Sequence, residues 1–273
     1  MKNKFTPICK RKRIKVGDIF LTSNGQTIVI AYENHNRVLI EFLATGTRKY
    51  TSALQLRRGC VRDPLRPSLF GVGYTSKDRY VSNRGYTRAG RKWMRMLARC
   101  YQTGHIQPSY IGTTVSPDWH DFSKFKEWYD AQPNNSFNFD LDKDLLSFLR
   151  GDTEPARVYS EHNCTLLPSD LNLKLSILQK RLRRVEEARS SSRSHIKLPP
   201  GIRYDAKHRS FRISVAGHIG TTCRTLQMAL DIYEKKNIKA FIDDLESQNE
   251  YLAPIVQEGI GRFKSLRGLS LYA

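Results

Sequence analysis

The run GDIFLTSNGQTIVIAYENHNRVLIEFLATGTRKYTSALQL consists of short β-branched and aromatic stretches cut by turn signals at Ser23-Asn24-Gly25, Glu33-Asn34-His35-Asn36 and Thr45-Gly46. Asn-Gly between two apolar runs is a strong hairpin marker, because both residues tolerate the backbone angles of a tight turn. Residues 16–62 therefore read as all-β, with four or five short strands forming a small, open, barrel-like module. About 50 residues bury little surface alone, so this module is expected to lean on its neighbours. The preceding residues, 1–12, read as a basic arm.

Charge narrows the partner. The chain carries 46 Lys+Arg against 26 Asp+Glu, a net charge of +20. Such an excess repels itself unless a polyanion is bound, and nucleic acid is the usual polyanion. An anionic membrane surface competes for that role, but no apolar run approaches the ~20 residues needed to span a bilayer. The N-terminal MKNKFTPICKRKRIKVGD has a charged start and no apolar segment after it, unlike a secretory signal. Cys9, Cys60, Cys100, Cys164 and Cys223 are scattered, with no CxxC pair, which disfavours a zinc ribbon and reads as reduced thiols in a cytoplasmic protein. The charge points to nucleic acid as the partner. No membrane association and no small-molecule cofactor are expected, and a monomer is favoured.

Residues 63–92 are rich in Pro, Gly, Arg and Tyr and read as a connector, suited either to backbone charge plus base stacking or to covering the core. Two helical pieces follow. KWMRMLARCYQ sets Trp93, Met96, Leu97 and Cys100 or Tyr101 at helical spacing. After the YIGTTVS turn, DWHDFSKFKEWYDAQ sets Trp119, Phe122, Phe125 and Tyr129 as an aromatic stripe of core type. FDLDKDLL, residues 139–146, reads as a strand, SFLRGDTEPARV as a loop, and YSEHNCTLLP as a strand ending at Pro168. A helix capped by Ser169 or Asp170 comes next and carries Lys180, Arg181, Arg183 and Arg184. Residues 190–200 form a linker, residues 201–245 read as three short strands and an amphipathic helix, and the tail, 246–273, gives no clear signal.

FDLDKDLL places Asp140, Asp142 and Asp144 together in a basic chain, which suits either a metal site or a polar turn. Mg2+ takes hard oxygen ligands, usually one or two carboxylates together with substrate phosphates. Asp142 with the Asn172 amide oxygen, in the first turn of the following helix, would supply the protein's share. An EF-hand is excluded, because neither the loop's Gly nor its closing Glu is present.

The run W-x-x-M-L-x-R-C-Y (Trp93–Tyr101), then Y-I-G-x-x-V-x-x-x-W-x-x-F-x-x-F-x-x-W-Y (Tyr110–Tyr129), then L-D-K-D-L-L (Leu141–Leu146), then Y-S-x-x-x-C-x-x-L-P-x-x-L-N (Tyr159–Asn172) resembles bacteriophage proteins related to HNH homing endonucleases, over roughly residues 70–180. The resemblance implies a ββα-metal fold, two strands and a helix gripping one divalent ion, at work in a phage-infected bacterial cell. It makes Asp142 the metal-binding Asp and Asn172 the helix ligand. It puts Asp144 as a further ligand or supporting group, and Asn163 near the Asn that closes the motif. The pattern departs at Lys143, which stands where the general-base His is expected. A free lysine has a pKa of about 10.4, so acting as a base near neutrality would need a drop of about 3 units, or about 4 kcal/mol. Neighbouring carboxylates oppose that drop. As a cation, Lys143 could instead hold the scissile phosphate or orient the attacking water. His162, placed on the second strand, and His120 are the other candidate bases. A degenerate centre that only binds DNA is the alternative reading, and a ribosome- or RNA-associated factor is a third.

GIRYDAKHRSFRISVAG, a third strand, and L-x-x-A-L-x-x-Y-x-x-K resemble the Apetala-type DNA-binding domain over residues 201–245. Double-stranded DNA is the form of partner that this resemblance and the one over residues 70–180 imply. Phe211, Ile213 and Val215 alternate with Ser210, Arg212 and Ser214, so the apolar set would face the helix. Arg212 and Arg203 would lie on the open face for the major groove, with Lys207 and Arg209 at the turn for phosphates and Arg181 and Arg184 adding to the basic surface. The expected fold class is α+β, divided as a basic arm and small β module (1–62), an HNH-like ββα-metal module (63–189), a linker (190–200), a three-stranded sheet packed on one helix (201–245) and a tail.

Overall fold

The computed structural model describes residues 13–104, 107–133, 135, 138–152, 156–191, 197–215 and 218–267. The expected basic arm, residues 1–12, lies outside them, as do parts of the linker (192–196) and of the tail (268–273). The chain is α+β, with seven α-helices and several small sheets among the described residues. It divides into two compact units, Met1–Glu127 and Trp128–Ala273. The expected boundaries after residue 62 and around residues 190–200 fall inside these units. Among the described residues no helix is long and apolar enough to cross a membrane.

In the first unit, β1 (Ile19–Thr22), β2 (Gly25–Asn34), β3 (Arg37–Phe42) and β4 (Arg48–Thr51) form an antiparallel meander in sequence order. The turn signals end the strands as expected, and Gly25 takes φ +107° where the first hairpin reverses. The sheet is not closed into a barrel. Its last strand stops at Thr51, where Ser52 caps α1 (Ala53–Arg57) by accepting the Gln55 N–H at 3.2 Å. Four strands are too few to close with a filled interior, and Ala53 and Leu56 of α1 fill the core with Val29, Val38, Ile40 and Phe42 instead.

The connector that follows carries a small hairpin, β5 (Val81–Ser82) and β6 (Gly85–Tyr86), and leads into α2 (Arg88–Tyr101). The aromatic residues expected to be of core type are buried: Trp93, Trp119, Phe122 and Phe125 in the first unit, and Tyr129 in the second. Trp93 is held at both ends. Tyr80 and Phe122 pack on its ring at 5.5 and 5.3 Å, and its Nε1 donates to the Trp119 carbonyl at 2.7 Å. The short β7 (Thr114–Val115) is tied to α2 by the Val115 N–H, which donates to the Tyr101 hydroxyl at 2.9 Å. The stripe is split locally. Trp119 lies in a 3-10 turn, Pro117–His120, and α3 spans Phe122–Asp130.

In the second unit, β8 (Phe139–Asp142) runs into α4 (Leu145–Arg150), and β9 (Val158–Tyr159) and a turn lead to β10 (Thr165–Pro168) and the long α5 (Ser169–Ser190). The strands β8 and β10 pair antiparallel. Next come β11 (Ile202–Asp205), β12 (Ser210–Val215) and β13 (His218–Cys223), an antiparallel sheet in sequence order, then α6 (Leu226–Ser247) and α7 (Pro254–Leu266). Helix α4 takes the last two residues of the run read as a strand and the first four of the segment read as a loop, and is stopped by Gly151 at φ +76°. The tail without a signal contains α7, which begins on Pro254, a residue preorganised for a first helical turn.

Two apolar clusters build this unit, and α5 and α6 belong to both. One joins α4, Leu167, Leu171, Leu175 and Leu178 with Phe241, Ile242, Leu245, Val256, Ile260 and Phe263. The other joins Val185 and Ala188 with Ile202, Ile213, Val215, Ala229, Leu230 and Tyr233. Ile238 packs in the first cluster rather than in the one under the three-stranded sheet. Ion pairs bind the two helices along their length: Lys174 to Asp244 at 2.8 Å, and Arg189 to Asp231 and Glu234 at 2.5 and 2.7 Å.

Gly90 gives a test of packing in the first unit. In a helix Gly→Ala usually stabilises by up to about 1 kcal/mol. Here a Cβ would stand 2.3 Å from the Tyr80 carbonyl oxygen, and overpacking of this kind costs about 1–3 kcal/mol. Gly90→Ala is therefore expected to lower the melting temperature by several degrees. A rise would contradict the close approach of Tyr80.

Candidate functional site

Strand β8 ends on Asp142, and the register sets Thr165 of β10 directly opposite it. Opposed residues of an antiparallel pair project from the same face, so the Asp142 carboxylate and the Thr165 hydroxyl share one side. They are 8% and 1% exposed. Asp142 Oδ1 accepts two backbone N–H groups, from Asp144 at 2.9 Å and Leu145 at 2.7 Å. These belong to the start of α4, whose first N–H groups have no partner within the helix. One buried carboxylate thus ends a strand and starts a helix.

Asp144 occupies the N-cap position but makes no capping bond with its side chain. It holds Lys143 instead, at 2.6 Å from Nζ. The Lys143 side chain is only 9% exposed, so its ammonium is committed to this pair. Burial, and after it the Asp144 charge, push Asp142 up to about 6, against the two N–H donors and Lys143, which pull it down. Burial also pushes the neighbouring Cys164 thiol well above its ordinary value.

Two oxygens on this face, Asp142 Oδ2 and Thr165 Oγ1, are of the type that a divalent ion such as Mg2+ would take. Asp142 Oδ1 is used by the backbone, and Oδ2 has no hydrogen-bond donor among the described residues. Thr165 Oγ1, facing it, is buried without a partner among the described residues. A buried polar atom in that state costs about 1–3 kcal/mol unless water or an ion satisfies it. No group of three or more His, Cys, Asp or Glu side chains among the described residues could hold a metal by itself. The protein would thus supply few ligands, and the remaining oxygens would come from water and phosphate, the usual habit of Mg2+.

Asn172 is half-buried in the first turn of α5, and its amide has no hydrogen-bond partner among the described residues. Helix α5 packs against both β8 and β10. It begins, however, where Pro168 pairs with Phe139 and the Ser169 N–H meets the Asn138 carbonyl at 2.8 Å. Asn172 therefore approaches from the end of the strand pair opposite Asp142, and no hydrogen bond joins the two side chains.

His162 is not on a strand. It sits in the turn before β10, and its side chain is 84% exposed, 3.4 Å from Glu161. The chain turns because the Asn163 and Cys164 N–H groups both donate to the Ser160 carbonyl, at 3.2 and 3.0 Å. Asn163 closes the turn, its Nδ2 donating to the Val158 carbonyl at 3.2 Å and its Oδ1 accepting from Arg150 at 3.3 Å. Because β10 starts at Thr165, opposite Asp142, this turn lies at the Asp142 end of the pair. His120 belongs to the first unit, edge-on to Tyr101 at 5.9 Å, and burial keeps its imidazole below the ordinary value.

On the three-stranded sheet, Arg203 and Arg212 are cross-strand partners and both are exposed. Asp205 Oδ2 holds Arg212 at 2.8 Å and His208 at 3.0 Å, which fixes the strand end and the turn that displays Lys207 and Arg209. Arg181 faces inward: its Nη1 donates to the Asn237 side chain at 2.7 Å and joins α5 to α6. Arg184 is exposed.

Searches against known protein families, curated proteins and solved structures found no match.

Thr165 was missed in the sequence because a threonine in a β run reads as strand propensity; only the register reveals what it faces. The state of Asp142 is testable through stability. Its folded pKa is raised, so between about 4 and about 6 the folded chain keeps a proton that the unfolded chain, near 3.9, has released. Stability therefore falls as pH rises through that window and stays lower above it, by about 3 kcal/mol for a shift of about 2 units. Asp142→Asn keeps an oxygen for the two N–H donors and removes the charge. It is expected to melt higher than wild type at pH 7.5, with the gap closing by pH 4. A pH-independent difference would contradict a buried, ionised Asp142.

Proposed function

We propose that this chain is a phage-type, metal-dependent DNA endonuclease of the HNH, or ββα-metal, kind. In this reading an Apetala-type sheet holds the duplex and the β8–β10–α5 element cuts it. The observation that carries the proposal is the order of parts in the second unit: an antiparallel strand pair followed at once by a packed helix, with a buried Asp at the exit of the first strand and an Asn closing the turn before the second. In the family that the sequence resembles, those positions belong to the metal ligand and to the motif's structural Asn.

Asp142 is assigned to hold the ion, with the Thr165 hydroxyl beside it; Asn172, at the opposite end of the strand pair, is not assigned to it. The ion would stabilise the charge that develops on the phosphodiester as it is cut. Asp144 supports the site by holding Lys143 in its buried ion pair. His162, exposed at the Asp142 end of the strand pair, is the side chain assigned to take the proton from the attacking water. Arg203 and Arg212 are assigned to base edges in the major groove. Lys207, Arg209 and Arg184 are assigned to phosphates.

A second reading rests on Lys143. The residue at the usual base position is buried and ion-paired, which suits a nuclease scaffold that has kept binding and lost cleavage. Plasmid relaxation separates the two. The endonuclease reading predicts nicking with Mg2+ and none with EDTA. Asp142→Asn should reduce nicking at least a hundredfold while duplex binding changes less than threefold. His162→Ala should slow nicking about a hundredfold, within the usual range for a lost general base. Failure of wild type to nick any DNA, together with binding that ignores divalent ions, would establish the second reading.

Binding tests the sheet separately. Arg203→Ala with Arg212→Ala should weaken duplex binding at least tenfold, measured by fluorescence anisotropy at fixed salt. An unchanged affinity would remove the sheet from the interface.

A further inference from the structure

A cleft of about 640 Å³ opens in the first unit, between the end of the β meander and the connector. Lys49, Arg62, Lys77, Arg79 and Tyr80 line it, together with Val81 and Ser82 of the hairpin. All four cations are exposed. Among the described residues none of the four has an ion-pair partner; the cleft's one carboxylate, Asp78, lies 3.9 Å from Lys126. Lys49 and Arg62 are oriented by neutral partners, the Arg62 carbonyl at 3.3 Å and the Ser68 hydroxyl at 3.2 Å. Four uncompensated positive charges around one depression repel each other and attract a phosphate-bearing chain.

The aromatic neighbour narrows the ligand. Tyr86 stacks on Tyr80, with ring centroids 6.1 Å apart and planes 15° from parallel, and is 47% exposed. Tyr80 is anchored from behind by Trp93 and Phe122. A cationic groove beside a supported, exposed ring is the arrangement that binds single strands, where the groove follows the backbone and bases stack on the aromatic face. A duplex, with its bases already stacked, offers no free base face to Tyr86.

We propose that this cleft binds single-stranded DNA, with Lys49, Arg62, Lys77 and Arg79 on successive phosphates and Tyr86 stacked under a base. DNA rather than RNA rests on the endonuclease reading, in which a strand freed at the target is the nearest single strand. Cleavage itself plays no part in the binding.

The test uses the full chain and a fluorescein-labelled oligo-dT of twelve nucleotides, measured by anisotropy in EDTA over a range of salt. The variant Lys49→Ala/Lys77→Ala/Arg79→Ala is expected to bind at least tenfold more weakly. The slope of log affinity against log salt should become shallower by about 2, at about 0.7 per lost phosphate contact on a single strand. Tyr86→Ala is expected to weaken binding about tenfold with the slope unchanged, and Tyr86→Trp to restore it. Circular dichroism melting like that of wild type qualifies each variant as folded. Arg79→Lys, which keeps the charge, provides a second reading should the triple variant fail to fold. It should hold the wild-type slope, with Arg79→Ala lowering it. Absence of wild-type binding to oligo-dT, or an unchanged affinity and slope in the charge variants, would overturn the proposal. Tighter binding of oligo-rU than of oligo-dT would overturn the assignment to DNA. Loss of plasmid nicking with these binding results intact would count against the endonuclease reading alone.

Discussion

A single buried carboxylate oxygen stands at the junction on which the second unit depends. Asp142 Oδ1 takes the Asp144 and Leu145 N–H groups, which fixes where β8 stops and the direction in which α4 leaves. Leu145, Leu146 and Leu149 of α4 are among the residues against which α7 packs. Gly259 permits that contact, since a Cβ there would meet the Leu149 side chain at 3.2 Å. The cap therefore supports the terminal helix as well as the strand. It comes at an electrostatic cost, visible in the upward displacement of Asp142. A charge kept under strain in a core is what a cation would relieve, and this gives the same residue a structural and a functional assignment.

The helices α5 and α6 carry the argument further. Each contributes to the cluster under the strand pair and to the cluster under the three-stranded sheet, and Arg181 with Asn237 joins them at their middle. The candidate centre and the candidate DNA-reading sheet are thus held by one pair of helices. In the proposed function, that shared support would fix the distance between the duplex held by Arg203 and Arg212 and the strand presented to Asp142.

Much of this was legible in the sequence where local chemistry and packing agree. The alternation in RSFRISV and the turn signals of residues 16–62 located strands, and the spacing of Trp119, Phe122, Phe125 and Tyr129 located an aromatic core. What was missed had conflicting local signals. Helix α4 is only six residues long and hides behind an apolar run that reads equally well as strand. Its markers, a capping Asp three residues before it and Gly151 after it, emerge only when the apolar run is cut at Asp142. Helix α7 carries Gly259 and Gly261, which lower its propensity, so its Val256, Ile260 and Phe263 stripe was outweighed. His162 read as strand because nothing in SEHNC announces that Asn163 will bond back to Val158. Closure of the N-terminal sheet depends on strand tilt and stagger, which turn signals do not encode.

The claim that most needs measurement is that Asp142 is a metal ligand rather than only a helix cap. Crystals of the full chain grown or soaked with Mn2+, examined by anomalous scattering, address it directly. The account predicts a peak about 2.0–2.2 Å from the free Asp142 oxygen, in the polar space beside Thr165 and lost in Asp142→Asn crystals. A chain that shows no peak at Asp142 under saturating Mn2+, while its two backbone hydrogen bonds remain intact, would contradict it and leave that carboxylate as architecture.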